Sequence, residues 1–544
     1  MKRFFMLMAA AILPVAALHS QNLDPTVEVS RVYEGKLMEV HKPLMVMSVP
    51  DTVYRFDLEF DYSVFDNPYK GSYEFSPYMM QMRPAALDYS RNTLYLSAGA
   101  GYTLHPVLDF LWSPLRKSPF SIDVYASHKS YVGEYYALGG YEPWSGYDLI
   151  SKAGVDMGYD WKNAALSFGA SYYGVAEKDF MKKRQYDAVE ALLSLKSKKP
   201  WARQFGYEVA AVYRFAEDKE SHGVAYICEH NLGVDVSFGP RFSGNKRLIF
   251  DLGTDVDVCS GAIGVAMGGF YFLPHYVYEK GIMTLDAGIR VATAFTSGNV
   301  SEVRRQIVYP DATLKLSVIP DALRFYVHAG GGEKLNTYAS LIAGNHHLDS
   351  RFSPGGHAPL MGVTVERISA IAGIEGRISN FFSYNLRGGY VNYGNRLFES
   401  AVENSAGRLL PAVLYSSCQS SFASMDWNLD TRNFRFDGML KYEHVWGAEN
   451  DVISPAAFTG DVSATYNWNG RIYAGVNAEF ATSRKNMVVE VPWYVDLGVY
   501  AEYVINRKFS VWLRGGNLLN MKIQRNVLFA EKGVNFTAGI CLNL

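Results

Sequence analysis

The sequence predicts an all-β protein, a transmembrane barrel of about 22 antiparallel up-and-down strands. Three observations predict this fold. Segments in which apolar and polar residues alternate recur up to the last residue, and short polar breaks separate them at regular intervals. After the N-terminal region, no run of about 18 uncharged apolar residues could form a membrane helix. Alternation with a period of two indicates a β-strand, because successive side chains of a strand point to opposite faces.

The first 20 residues have the features of a secretory signal peptide. Lys2 and Arg3 precede an apolar run at 4–17, and small or polar residues follow it. The run is too short to anchor the chain in a membrane. We therefore expect residues 1–20 to direct export and to lie outside the folded protein.

Residues 21–91 differ from the rest of the chain. Their alternation is weak, and they contain five prolines, Pro43, Pro50, Pro68, Pro77 and Pro84. Proline has no N–H to donate to a β-ladder, so regular central strands are not expected here. We expect an extended periplasmic or lumenal segment, which could dock a periplasmic or lipoprotein partner.

Residues 92–544 carry the barrel pattern. In 471–480, Ile472 and Val476 fall on one face, while Tyr473 and Glu479 fall on the other. The same alternation holds in 247–258, 283–291, 434–443, 493–504 and 534–544. A strand with one apolar and one polar face fits a barrel that has lipid outside and a polar lumen inside.

The breaks between these segments set the strand count. Ten short breaks are expected to be periplasmic turns: 114–119, 161–163, 196–200, 239–246, 279–281, 320–321, 379–380, 429–433, 467–470 and 506–507. Longer connections, expected on the outer side, lie near 130–147, 175–185, 296–303, 331–361, 397–407, 447–456 and 520–532. Ten turns separate eleven hairpins, which gives about 22 strands. The first hairpin is either 92–102 with 106–112 or one that begins at 54–60.

The composition argues against a nucleic-acid partner and favours membrane lipid as the partner. The net charge is −2, so the chain lacks the basic surplus of a nucleic-acid-binding protein. Its 38 Tyr and 31 Phe suit the aromatic girdles of an outer-membrane barrel, whose expected partner is membrane lipid. The four cysteines are scattered without a C-x-x-C pair, and we expect them to act as small apolar residues.

Two stretches resemble TonB-dependent receptors. Residues 511–523 (VWLRGGNLLNMKI), with the closing strand 534–544, resemble the last two strands of that family, in which an Asn-Leu-aromatic-Asn/Asp element precedes the last external loop. Residues 371–390 (IAGIEGRISNFFSYNLRGGY) are similar to one of its hairpins. The resemblance implies a bacterial outer-membrane barrel that takes part in solute uptake.

The chain departs from that family at both ends. Residues 21–91 are fewer than the family's globular plug domain needs, so we expect a barrel without the usual plug. Leu544 ends the chain where outer-membrane barrels usually have an aromatic residue. These departures leave energised uptake driven by TonB open.

Charged residues on the polar faces are the candidate lumen-facing set. They comprise Asp251, Asp255, Asp257, Asp286, Arg290, Arg435, Lys441, Arg471, Glu479, Asp496, Glu502 and Arg514. One interpretation is that they pair with one another inside a polar lumen, and the other is that they form a permeation or docking surface. Both signs are present, so no ion selectivity is predicted.

The long connection at 331–361 contains His346, His347, Asp349 and His357. Imidazole and carboxylate groups can bind transition metals. Adjacent histidines do not easily share one small ion, however, so we favour a solvated loop and predict no metal site. We find no Ser/His/Asp set, paired catalytic carboxylates, H-E-x-x-H motif or phosphate loop, so neither an enzyme nor a cofactor is predicted.

Two functions remain at this stage. In the first, the barrel is a component for solute passage or binding, and residues 21–91 act as a small stopper in its lumen. In the second, it is a non-transporting scaffold subunit of a multi-protein outer-membrane complex. A barrel of this width has a large lumen that something must fill, which slightly favours the first.

Overall fold

The computed structural model describes residues 93–102, 105–115, 119–135, 143–179, 183–198, 205–220, 226–243, 245–298, 307–348, 360–403 and 409–544. The expected signal peptide and the segment 21–91 lie outside these residues. So does the alternative first strand at 54–60. No helix in the described part of the chain is long and apolar enough to cross a membrane.

Twenty-two antiparallel strands form one closed sheet, which confirms the predicted fold and count. In chain order they are β1 (Leu94–Gly101), β2 (Val107–Trp112), β3 (Phe120–Tyr135), β4 (Trp144–Asp160), β5 (Ala164–Lys178), β6 (Lys183–Ser197), β7 (Phe205–Glu220), β8 (Tyr226–Ser243), β9 (Lys246–Gly261), β10 (Val265–Lys280), β11 (Met283–Gly298), β12 (Val308–Ile319), β13 (Leu323–Asn336), β14 (Gly362–Ile378), β15 (Phe382–Glu403), β16 (Leu409–Asp430), β17 (Phe434–Trp446), β18 (Phe458–Trp468), β19 (Ile472–Ala481), β22 (Tyr494–Asn506), β23 (Phe509–Gly516) and β24 (Asn535–Asn543). β1 pairs with β24, with Tyr95 opposite Asn543, and this pairing closes the barrel. Closure leaves the 22-stranded sheet without a free edge in the described part of the chain.

Two smaller elements lie in the connections. Helix α1 (Tyr338–Gly344) follows β13, and a two-stranded ribbon of β20 (Arg484–Lys485) and β21 (Glu490–Val491) follows β19. The Thr337 side chain accepts a hydrogen bond from the Ser340 N–H and so caps the first turn of α1.

Each of the ten predicted short breaks overlaps the junction of two consecutive strands at one end of the barrel, which we call the turn end. Most of 239–246 is strand, because β8 continues to Ser243, and parts of 114–119 and 196–200 lie outside the described residues. The turn between β18 and β19 shows the local reason. Asn469 and Gly470 both have positive φ, 53° and 70°, the conformation that a tight two-residue hairpin turn requires. The Gly470 N–H also donates to Asn467 Oδ1 over 2.6 Å.

At the opposite end, the loop end, the strands run further than expected. β15 and β16 contain 22 residues each, so most of the predicted connection 397–407 is strand. β13 likewise continues to Asn336, inside the predicted loop 331–361. A membrane crossing needs only about 9–11 residues, so ladder hydrogen bonds continue well past the bilayer. The first hairpin is β1 with β2, the first of the two alternatives.

The two faces of the wall differ as a period of two requires. On β19, Ile472 and Val476 are 44% and 47% exposed on the outer face, while Tyr473 between them is 2% exposed. On β6, Val189 and Leu193 are exposed, whereas Tyr186 and Ala188 are buried. The exposed apolar side chains form the outer face, which suits contact with lipid.

A hydrophobic core lies against the inner wall at the loop end. Tyr338, Leu341 and Ile342 of α1 pack with buried wall residues of β5–β10, among them Val175 and Met267. A second buried cluster joins β15, the ribbon and residues 527–529. The inner face therefore carries apolar patches on which the loops pack.

Candidate functional site

The candidate site is the loop end of the lumen, where three connections fold inward: residues 337–348 (the α1 loop), the ribbon, and residues 517–534 (the last loop). The α1 loop follows β13 but contacts wall strands far from it in the sheet. The Tyr338 hydroxyl donates to Asp218 of β7, and the Ala339 N–H donates to both carboxylate oxygens of Glu229 of β8. These contacts require the loop to cross the barrel opening.

A row of charged residues on β4, β5 and β6 receives the α1 loop. Asp148, Glu177 and Arg184 lie directly opposite one another on these three strands. Arg184 is fully buried, with its Nε 3.0 Å from Asp218 Oδ2 and its Nη1 3.7 Å from Glu177 Oε1. The same guanidinium donates to the backbone carbonyl of His346. Arg184 therefore fixes the α1 loop to the wall.

His346 and His347 lie next to the two carboxylates of this row. His346 Nε2 is 3.3 Å from Asp148 Oδ2, and His347 Nδ1 is 3.0 Å from Glu177 Oε2. Burial lowers the pKa of His346, but the charges of Asp148 and Glu177 outweigh it and raise that pKa to about 9. Burial, together with the charge of His346, lowers the pKa of His347. The expectation of a solvated loop is wrong for these two residues, while Asp349 and His357 lie outside the described residues.

The last loop is held by a second arginine. Arg525 donates through Nε and Nη2 to both carboxylate oxygens of Glu479, at 3.0 and 2.8 Å, and Nη2 also donates to Asp496 Oδ2 over 2.7 Å. Its Nη1 donates to Glu531 of the same loop. Two-point binding of a carboxylate by a guanidinium is among the stronger charged hydrogen bonds. Two of the predicted lumen-facing carboxylates thus hold a loop.

The three docked segments also contact one another. Arg484 of the ribbon donates to Glu399 of β15 over 2.7 Å and to the Arg525 carbonyl. The His347 ring stacks on Phe529 of the last loop, with centroids 4.1 Å apart. The docked segments therefore form one connected layer.

A fourth contact fixes the last loop to the first hairpin. Lys532 Nζ lies 2.7 Å from Nε2 of His105, which precedes β2. Burial and the charge of Lys532 lower the pKa of His105 to about 4. Burial also lowers the pKa of Lys532, to about 8, against the opposing charges of nearby carboxylates. A neutral His105 accepts the hydrogen bond that the Lys532 ammonium donates.

Other predicted lumen-facing residues pair along β9–β11. His275 of β10 lies between Asp251 and Asp286, with its Nε2 3.1 Å from the first carboxylate and its Nδ1 2.7 Å from the second. The Arg290 guanidinium lies over the Tyr271 ring, 4.1 Å from its centroid. The partner histidine was not among the predicted residues, although it shares their alternation.

Asp255 and Asp257 lie in a second acidic cluster. The Asn231 side-chain amide donates to Asp255 Oδ1 over 2.7 Å. Asp257 is fully buried, with its Oδ1 3.6 Å from Cys259 Sγ. Glu229, which accepts from α1, completes this cluster.

The basic residues of β17 have partners within that strand. Arg435 Nε donates to Asp437 over 2.9 Å, and Lys441 Nζ lies 2.8 Å from Glu443 Oε2. Arg396 of β15 donates to the same Glu443, also over 2.8 Å. These charges are satisfied by near neighbours in the wall.

The remaining three predicted residues differ from one another: Glu502 and Arg471 lie towards the turn end, whereas Arg514 lies further up the wall, opposite Tyr500. Glu502 is buried and accepts a hydrogen bond from Ser510 Oγ over 2.5 Å. The Arg514 guanidinium lies 4.5 Å from the Trp512 ring centroid. Arg471 lies in the turn before β19 and is exposed, so it differs from the wall residues with which it was grouped.

No family model matches this sequence, and no curated protein matches it either. Solved structures do match. The copper transporter OprC is 12% identical, with a TM-score of 0.62 over 83% of this chain and 80% of that chain. The FrpB iron transporter from Neisseria meningitidis is 10% identical, with a TM-score of 0.61 over 83% and 81%. The siderophore receptor PiuA from Acinetobacter baumannii is 9% identical, with a TM-score of 0.61 over 85% and 82%.

At these identities the likeness shows the fold alone. The place of the protein follows from the barrel itself. Only helices and closed barrels satisfy their backbone hydrogen bonds within a bilayer, and this closed barrel has an apolar outer face. The chain is a 22-stranded β-barrel of the bacterial outer membrane, similar in fold to those transporters and receptors.

Proposed function

We propose that the protein is an outer-membrane component for the passage or binding of a solute, and that movement of the α1 loop and the last loop controls access to its lumen. The observation that carries this proposal is a barrel of 22 strands with three of its own loop segments packed against its inner wall at the loop end. Wall side chains alone do not fill so wide a lumen. Similarity in fold to structures described as copper, iron and siderophore proteins supports the same function.

The charged contacts at the opening suit a cover that can move. Arg525 fixes the last loop through ion pairs to partly exposed carboxylates, which water can replace when the loop leaves the wall. The buried ion pairs of Arg184 hold the α1 loop more firmly. Both signs of charge line the wall, so we propose no ion selectivity. Residues 21–91 would add a small stopper in place of the family's plug.

In the orientation that goes with this function, the loop end faces outside and the turn end faces the periplasm. Cysteines introduced at Gly447 in the β17–β18 connection and at Lys508 in the last turn test it. A membrane-impermeant thiol reagent applied to intact cells should label position 447 only. Labelling of position 508 alone would reverse the orientation.

Conductance in planar bilayers tests the function. Deleting residues 338–348 and joining the ends with a short Gly-Ser linker should raise single-channel conductance, because α1 and its contacts leave the opening. Deleting residues 21–91 should raise it further and sensitise cells to large antibiotics. Heat-modifiable gel mobility verifies that each barrel is folded, and near-zero conductance of both folded variants contradicts the proposal.

The scaffold function is the second candidate, and the apolar core under α1 favours it. Tyr338, Leu341 and Ile342 are almost fully buried against the wall, which is more packing than a mobile cover needs. A scaffold would stay electrically quiet after both deletions. Loss of residues 21–91 would then remove one protein from the complex that co-purifies after mild solubilisation.

A further inference from the structure

Glu177, His346 and His347 each offer one metal-ligand atom, and the three atoms lie within 4.8 Å of one another. Glu177 belongs to β5 and the histidines to the α1 loop, so the cluster exists only while the loop is docked. Imidazole nitrogen and carboxylate oxygen are common ligands of Zn²⁺ and similar ions. We propose that these residues, with Asp148, bind one divalent late-transition-metal ion that ties the α1 loop to the barrel wall.

The distances suit a tetrahedral ion. Ligands bonded to Zn²⁺ at about 2.0–2.1 Å are separated from one another by roughly 3.3 Å. His347 Nδ1 lies 3.0 Å from Glu177 Oε2, and His346 Nε2 lies 3.3 Å from Asp148 Oδ2 and 3.8 Å from Glu177 Oε2. These three separations are therefore close to those between the ligands of a tetrahedral ion.

The two histidines present different ring nitrogens, which removes the objection to adjacent ligands. His346 presents Nε2 to the carboxylates, whereas His347 presents Nδ1, which lies closer to its own backbone. Their ring planes are 42° apart, and their centroids are 4.1 Å apart. Use of different ring nitrogens lets neighbouring residues share one ion.

The charge at this point of the wall also favours a cation. Asp148 and Glu177 are direct cross-strand neighbours, and like charges in that position repel. Arg184 supplies one positive charge, which it already divides among Glu177, Asp218 and the His346 carbonyl. A second positive charge there is the proton that His346 carries, which the metal ion would replace. An ion of charge +2 between the carboxylates would offset their repulsion.

The cluster borders a cavity of about 20 Å³ lined by Asp148, Glu177, His347 and Phe529, among others. That space holds about one water molecule. A water there could occupy an open coordination position, and Phe529 shields one side of the site by stacking on His347. The surroundings thus limit access of bulk water to the ion.

The other cluster of possible ligands is a weaker candidate. It consists of Glu229, Asp257 and Cys259. Both oxygens of Glu229 accept the Ala339 N–H, at 3.2 and 2.9 Å, so this carboxylate already serves α1. The site at His346 and His347 is independent of whether the barrel passes a solute.

Metal binding by the whole protein tests the inference. The full-length barrel is purified in detergent without a polyhistidine tag, stripped with a chelator and titrated with Zn²⁺ by calorimetry. We expect one Zn²⁺ per barrel, a visible absorption spectrum typical of tetrahedral Co²⁺ on cobalt substitution, and a higher Tm with Zn²⁺ but not with Ca²⁺.

Variants locate the site. The double variant His346→Ala/His347→Ala and the single variant Glu177→Gln should each weaken Zn²⁺ binding by about 100-fold or more. His444→Ala, at an exposed histidine of β17 that stacks on Trp446, is the matched control and should bind as the wild type does. Failure of the folded wild type to bind Zn²⁺ overturns the proposal, as does undiminished binding by the double variant. If the variants do not fold, a wild-type cobalt spectrum without nitrogen ligation overturns it.

Discussion

Two buried arginines hold the docked loops, and they act from opposite sides. Arg184 belongs to the wall, and β6 presents it to the carbonyl of His346 in the α1 loop. Arg525 belongs to the last loop and reaches the wall carboxylates Glu479 and Asp496. In the first contact the wall supplies the cation, and in the second the loop supplies it.

The surroundings of the two arginines differ in access to water. The Arg184 side chain is 0% exposed and its carboxylate partners are 1–2% exposed. The Arg525 side chain is 7% exposed, and its partners are 12–21% exposed. Water can rehydrate the second set of carboxylates when the cation is lost, but not the first. The two loops are therefore held with different strength.

The largest effect is expected for Arg184→Ala. The change leaves the buried carboxylates of Glu177 and Asp218 without their guanidinium, which costs about 3–5 kcal/mol in the free energy of unfolding. Urea unfolding in lipid vesicles, followed by tryptophan fluorescence, measures it. Arg184→Lys keeps the positive charge but loses the planar guanidinium, so it should lower the free energy of unfolding by less than Arg184→Ala does. If Arg184→Ala lowers the free energy of unfolding by less than Arg525→Ala does, the two arginines do not differ in strength as we propose.

A substitution on the outer wall gives a reference cost in the free energy of unfolding for both arginine contacts, because it alters neither loop. Val476→Arg places a charge on the lipid face in mid-strand, with an expected cost of about 2–4 kcal/mol. Ile472→Arg is the matched control, since Ile472 is exposed on the same face at the turn end of β19 and should cost about 0–1 kcal/mol. Equal costs would mean that this face does not contact lipid.

Arg525→Ala should destabilise the protein by a smaller amount, about 1–3 kcal/mol, because its partners regain water. Proteolysis of the last loop should accelerate, while the barrel keeps its heat-modifiable mobility. Tyr494→Phe is the control, since it removes only the hydroxyl that donates to Glu479 over 2.7 Å and leaves the arginine in place. Unchanged proteolysis in Arg525→Ala would show that other contacts hold the loop.

The sequence predicts features that depend on neighbouring residues, but it does not predict contacts between residues far apart in the chain. Lipid-facing Val476 and the Asn469-Gly470 turn follow from alternation and turn chemistry, both of which are local. The contact between Arg184 and His346 joins residues 162 positions apart, and no periodicity encodes it. Arg525 lies in a loop with no alternation at all. Local rules thus predict the wall and its polar faces but not the partners across the lumen.

One local signal for the docked loop was present. Residues 338–343 (YASLIA) form an apolar run inside the connection predicted to be solvated. Tyr338, Leu341 and Ile342 need burial, and the structure buries them against the inner wall. Apolar side chains in a long barrel loop therefore indicate that it folds inward, although they do not identify the strands that it contacts.

The last effect concerns pH and only the last loop. Neutral His105 accepts the hydrogen bond from Lys532, and the Tyr131 ring lies edge-on to His105 and beside the ammonium. Burial and the Lys532 charge hold the pKa of His105 near 4, below its ordinary value of 6.5. Between these values the unfolded chain binds the proton more readily, so stability rises with pH from about 4 to 6.5 and then levels off. His105→Gln keeps an acceptor that does not titrate, so the wild-type curve should fall relative to this variant as the pH drops from 6.5 to 4. Urea unfolding at a series of pH values compares the two proteins. Parallel curves would show that folding does not lower the pKa of His105.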